Sequence, residues 1–187
     1  MTQAPAFRKA PDAPTRDALA AIDALLERHA AFYAEHPLAV TVLMTEFFME
    51  YLRKLHHAFD GDLTSALVLG EIGQANTRRF VRALHPDALP TWLVDTEVRD
   101  SVLRGCNGLS VSMASGIPRE TVRRKIKVLE DEGLIAPHPE GGWAATDKAA
   151  ERFSPTFNFE QSRRLLETLR RIIELGLPGG EASPERA

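Results

Sequence analysis

Leu109-Ser-Val-Ser-Met-Ala-Ser-Gly-Ile-Pro-Arg-Glu-Thr-Val-Arg-Arg-Lys-Ile-Lys-Val-Leu-Glu-Asp-Glu-Gly-Leu-Ile135 is the stretch that decides how this chain folds. A short helix over residues 109–115 meets Gly116, which supplies the positive φ that a sharp bend between two helices needs. Ile117 is apolar and plugs the angle. Pro118 suits the first turn of the next helix, where its missing N–H leaves no bond unmade. Over residues 118–132, Val122, Ile126 and Leu129 recur at i, i+4 and i+7 and so share one buried face. Arg119, Thr121, Arg123, Arg124 and Lys127 occupy the other. Gly133 ends the helix.

The charges on this helix run against its dipole. Cations crowd its N-terminal half and Glu130-Asp131-Glu132 closes it, whereas stability alone favours the opposite order. The inversion makes sense if the partner of the cationic face is a phosphate backbone or a guanine edge. The closing acids would then sit away from that partner. Beyond Gly133, Leu134-Ile135 begins a strand, Pro139-Glu140-Gly141-Gly142 makes a turn, and Trp143-Ala144-Ala145-Thr146 returns as a second strand.

Residues 96–153, about a third of the chain, resemble the winged helix-turn-helix of bacterial transcriptional regulators, the broad group that includes the MarR-like and IclR-like families. Gly116-Ile117-Pro118-Arg119-Glu120-Thr121-Val122-Arg123-Arg124 and the Leu129-Glu-Asp-Glu-Gly-Leu-Ile135 exit carry the resemblance. It implies that residues 118–132 form a recognition helix that enters the major groove. Arg119, Arg123 or Arg124 would read bases, with Glu120 and Thr121 beside them, and Lys125 and Lys127 would hold phosphates. Ser110 and Ser112 would approach the backbone from the preceding helix. His138, Gly141 and Gly142 would do so from the wing. Lys125 stands at a position that is often apolar in the group, which leaves one corner of the expected core more open.

Outward from this segment the chain is helical. Residues 1–14 are Ala- and Pro-rich and expected to be disordered. Thr15 can cap a helix to Glu35, stopped by His36-Pro37. A second helix over 38–59 is apolar on more than one face. Asp60-Gly61-Asp62 is a turn, with Asp62 able to cap a third helix over 63–84. Gly70 and Gly73 inside that helix suggest a close helix crossing. Pro86 and Pro90 bracket a linker, and a further helix is expected over 92–104, broken by Asn107-Gly108. Asn158 and Gln161 stand at capping-box spacing and open a last helix. Its apolar stripe is Leu165, Leu166, Leu169, Ile172 and Ile173, and Gly176 suits its C-terminal cap. The expected organisation is a helical regulatory or dimerisation domain over 15–90, a winged helix over 91–155 and a C-terminal helix over 156–177. A disordered tail over 178–187 completes it. The fold class is mainly α with a small β-hairpin.

Composition bounds the function. The chain has 187 residues, 44% hydrophobic and 26% charged, with a net charge of −3, which excludes a bulk-basic nucleic-acid binder. The distribution is more telling. Residues 116–128 hold five cations against Glu120, while residues 17–50 hold six acids against Arg28. One DNA-facing element on an acidic protein fits that asymmetry. A single cysteine rules out an intrachain disulfide, and no signal peptide or bilayer-length apolar run is apparent, so a cytoplasmic location is expected. Adjacent His56 and His57 point about 100° apart on a helix and are poorly placed to share a metal. No glycine-rich phosphate loop, nucleophile elbow or zinc pattern occurs. No enzyme activity, cofactor or metal is therefore expected. The expected partners are duplex DNA and a second copy of the chain, with room for a small-molecule effector of unknown identity. The competing reading is a winged helix that docks on protein without reading DNA.

Overall fold

The computed structural model describes residues 13–82, 103–152 and 155–175. These are mainly helical: α1 (Ala13–Glu35), α2 (Pro37–Ala58), α3 (Leu63–Arg82), α4 (Gly108–Ser115), α5 (Arg119–Asp131), α6 (Asp147–Arg152) and α7 (Pro155–Leu175). Between α5 and α6 lies a two-stranded antiparallel sheet of β1 (Ile135–Pro137) and β2 (Trp143–Ala145), with Ala136 opposite Ala144. The chain divides into two compact units. One holds α1, most of α2 and most of α7; the other runs Leu52–Phe159.

In the second unit, Asp62 caps α3. Its carboxylate accepts the Ser65 backbone N–H at 3.1 Å and the Ser65 hydroxyl at 2.7 Å. Val68, Leu69 and Ile72 of α3 are buried in one core with Val111 of α4 and Val122, Ile126 and Leu129 of α5. Phe59, Ala66, Cys106, Leu134, Ile135 and Ala149 belong to it as well. Each such aliphatic side chain stabilises the fold by roughly 1.5–3 kcal/mol when fully buried. The helix that completes a three-helix core around α4 and α5 is therefore α3. This corrects the expected boundary at residues 86–90, which left α3 in the N-terminal domain. Most of the helix expected over 92–104 falls outside the described residues, and its last two positions, Leu103 and Arg104, are not helical. The expected linker and both expected disordered ends fall outside them too, except that α1 already begins at Ala13. Among the described residues, no close crossing explains Gly70 and Gly73, since nothing outside their own helix backbone lies within 4 Å of where a Cβ would stand on either.

A buried amide ties the hairpin to α3. Asn76 is 2% exposed. Its Nδ2 donates to the carbonyls of Arg104 and Trp143, and its Oδ1 accepts the Ala145 N–H at 3.0 Å. Cys106 pairs with Trp143 as an antiparallel bridge, each backbone N–H donating to the other's carbonyl at 2.9 Å. The segment before α4 thus lies alongside β2 as a third short extended piece.

In the first unit, α7 runs antiparallel to α2. Arg164 pairs with Glu50 at 3.2 Å, and Arg171, further along α7, pairs with the earlier Glu46 at 2.8 Å. The capping-box spacing at Asn158 misplaces the start of α7, which begins at Pro155, where a residue with no N–H to satisfy fits the first turn. Large apolar side chains remain exposed on all three helices, among them Leu26, Leu38, Val42, Phe48 and Leu166. Among the described residues, no helix is long and apolar enough to cross a membrane.

Candidate functional site

The turn between α4 and α5 is built by its polar residues as much as by its glycine. Gly116 has φ +70°, the left-handed conformation read from the sequence, and its N–H donates to Ser112 O. The Ser112 hydroxyl donates to Ile117 O at 2.7 Å, and the Ser115 hydroxyl donates to Val111 O while accepting the Ile117 N–H. Ser112, a candidate phosphate contact, therefore spends its proton inside the turn. Ser110 is exposed, with its backbone N–H held by the Asn107 side chain that caps α4. Asn107-Gly108, read from the sequence as a helix break, is the start of α4.

From this turn α5 emerges with two distinct faces. Val122, Ile126 and Leu129 are buried, as their spacing predicts. Arg119, Glu120, Arg123, Arg124 and Lys127 are exposed and Thr121 is half-buried. Arg119, Arg123 and Lys127 border an open recess of about 520 Å³ whose far wall includes Gly108, Leu109 and Trp143. Trp143 itself packs against the core.

Lys125 belongs to neither face. Its ammonium meets Asp62 Oδ2 at 2.5 Å, and both side chains are partly covered. Burial pushes the Asp62 carboxyl up, but the hydrogen bonds from Lys125 and Ser65 and the Lys125 charge outweigh it and hold the group below its usual range. The expected phosphate role of Lys125 therefore has a competitor within the fold: its charge is engaged by the cap of α3. A cation can occupy this often-apolar corner because an acid on another helix meets it.

Glu120 and Arg123 form a two-point pair. Arg123 Nε donates to Glu120 Oε2 at 2.9 Å and Nη2 to Oε1 at 2.7 Å. The hydrogen bonds from Arg123 hold the Glu120 carboxyl below its ordinary value, and those same bonds raise the guanidinium of Arg123. At the other end of α5, the acid against the dipole is compensated. Arg152 of α6 pairs with Glu132 at 3.0 Å, and Lys148 donates to Glu132 O at 2.7 Å.

The hairpin tip is held close to the chain before α4. His138 donates its N–H to Gly142 O, Gly141 donates back to His138 O, and His138 Nδ1 accepts the Glu140 N–H. Gly142 has φ +79°, and a Cβ there would lie 2.6 Å from Cys106 O, so a side chain is excluded at this position on two counts. Gly141 is exposed, while Gly142 faces the Cys106 backbone and is only partly accessible. Arg104 reaches the tip and pairs with Glu140 at 3.2 Å. Cys106 is buried, and burial first, then the charge of Glu71, pushes its thiol up. Among the described residues, no group of three His, Cys, Asp or Glu is arranged to hold a metal ion.

The geometry brings Arg119, Glu120, Arg123, Arg124 and Lys127 together on one exposed helix face, while Lys125 and Ser112 make contacts within the fold, to Asp62 and to Ile117 O. The partners that sequence reasoning misses are Asp62, 63 residues from Lys125, and Asn76, which reaches Arg104 across 28 residues and Trp143 and Ala145 across 67 and 69. The capping position of Asp62 gave a local signal for its role at α3 and none for Lys125. No family model, curated protein or solved structure matches the chain.

Proposed function

We propose that the chain is a sequence-specific DNA-binding transcriptional regulator of the cytoplasm, acting as a homodimer, and a binding protein with no catalytic role. In this reading α3, α4 and α5 are the three helices of a winged helix-turn-helix, β1 and β2 are the wing, and α5 is the recognition helix. The observation that carries it is the division of α5 into a face anchored by Val122, Ile126 and Leu129 and a face that exposes Arg119, Arg123, Arg124 and Lys127. A helix so anchored presents its cations rigidly, and a major groove admits one helix of this size. The exposed hairpin tip at Pro139, Glu140 and Gly141 suits contact with an adjacent backbone. One recognition helix covers only a few base pairs. A two-fold dimer would set two of them about one DNA turn apart, ~34 Å. Exposed apolar side chains on α1, α2 and α7 favour such an assembly.

Selection of bound duplexes from a random pool tests the reading. Enrichment of a palindromic motif, with affinity that falls steeply with salt, is the expected result. A chain that docks only on protein would enrich nothing and bind no duplex, and that outcome would overturn the proposal.

A further inference from the structure

The Glu120–Arg123 pair does little for the fold. The two side chains are 65% and 71% exposed and stand three residues apart on one helix, a setting in which ion pairs add little stability. Its effect is geometric. A guanidinium carries five N–H donors in a fixed plane. Glu120 takes the Nε–H and one Nη2–H, which fixes both the plane and the direction of the arginine. The edge left free presents Nη1–H and the second Nη2–H side by side. Guanine offers O6 and N7 side by side in the major groove, and a parallel pair of N–H donors matches them. Among the described residues, Arg119, Arg124 and Lys127 are in no ion pair, so Arg123 is the cation of this face whose direction is set before any partner arrives.

We propose that Glu120 is a positioning residue that fixes Arg123 as a guanine reader, so that each half-site requires a G·C pair beneath the first turns of α5. The proposal rests on the DNA-binding reading above. Glu120 has a cost in that reading, because a carboxylate on the DNA-facing side repels phosphates and weakens binding to every duplex. It offsets this by saving the rotamer freedom that a loose arginine loses on binding. Affinity for DNA in general is thereby lowered and discrimination raised.

The test uses the full chain and three proteins: the unaltered form, Glu120→Gln and Arg123→Lys. Both substitutions are at exposed positions and should leave thermal unfolding unchanged. Selection from a random duplex pool should return a motif with an invariant G in each half-site. Replacing that G·C by A·T should weaken the unaltered protein by about 5- to 150-fold. Arg123→Lys keeps the charge but not the fork, and should lose most of that preference. Glu120→Gln should bind random duplex more tightly while its preference for G falls by roughly 2- to 10-fold. If Glu120 only repels phosphate, specific and random binding will rise together and their ratio will hold, which overturns the positioning role. A motif whose G is indifferent to Arg123 also overturns the proposal while leaving DNA binding intact. Absence of salt-dependent duplex binding by the unaltered protein overturns the DNA reading, and the guanine assignment with it.

Discussion

The side-chain oxygen of Asn76 accepts the backbone N–H of Ala145 at 3.0 Å, across 69 residues of sequence. With its Nδ2 on the carbonyls of Arg104 and Trp143, one buried amide joins α3, β2 and the extended piece before α4. Asn76→Asp is the sharpest probe of this clamp. It keeps the shape, removes both donors and sets a carboxylate against two carbonyl oxygens. We expect a loss of at least about 3 kcal/mol, read as a lower denaturation midpoint with an unchanged slope. A shift worth less than about 1 kcal/mol would show that the clamp does not hold the hairpin.

Acid should weaken the fold through Asp62. Its carboxyl titrates lower in the folded chain than in the unfolded one, where it is near 3.8. The stabilisation is therefore complete above about pH 4 and is lost as pH falls through the lower folded value. Lys125→Met removes the hydrogen bond and charge that depress the carboxyl. Stability measured between about pH 2 and pH 5 should vary less steeply in that variant. An identical pH profile would mean that the pair contributes nothing.

Salt dependence separates the cations of α5. Arg124→Ala and Lys127→Ala should each lower the slope of log affinity against log salt by about 1 if they contact phosphate. Lys125→Met should leave the slope unchanged, since its charge is already matched by Asp62. A slope change at Lys125 equal to that at Arg124 would return Lys125 to the binding face.

Gly116 tests the turn. No atom lies within 4 Å of where its Cβ would stand, so crowding is not the obstacle; the positive φ is. Gly116→Val should cost more than roughly 1 kcal/mol, and Gly116→Asn less, because asparagine tolerates the left-handed region. Equal melting temperatures for all three proteins would remove the conformational argument.

Assembly can be read from mass. The apolar side chains exposed on α1, α2 and α7 predict a species of twice 20.7 kDa in light scattering at micromolar concentration, and two chains per duplex once DNA is bound. The ion pairs of α7 with Glu46 and Glu50 satisfy its charged edge within the chain and leave Leu165 and Leu166 exposed. A mass of 20.7 kDa without DNA and one chain per duplex with it would rule out the dimer.

What the sequence makes legible here is local. The buried triplet Val122, Ile126 and Leu129 follows from a period, the left-handed Gly116 from a turn between two periods, and the cap at Asp62 from its place before an apolar run. What it hides depends on distant partners. α3 reads as one of several amphipathic helices, and nothing in its own pattern says that Val68 and Ile72 share a core with α5. Lys125 looks like its cationic neighbours until Asp62 is placed beside it. Cys106 sits where Asn107-Gly108 reads as a break, and a one-residue bridge to Trp143 has no periodicity to betray it. The six-residue α6 is too short to carry a pattern and is missed for the same reason.

The burial of Cys106 has a kinetic consequence. Cys106 is the chain's one cysteine, it is 4% exposed, and it lies beneath a recess lined by Glu71, Gln74 and Val111, so a reagent reaches the sulfur when the packing of α3 and α4 around it loosens. Its raised pKa keeps it protonated, hence unreactive, while closed. The protein therefore carries its own single-site clock. The speed at which that thiol is consumed under native conditions counts the openings of the packing around it, with no label added and no second site to confuse the count.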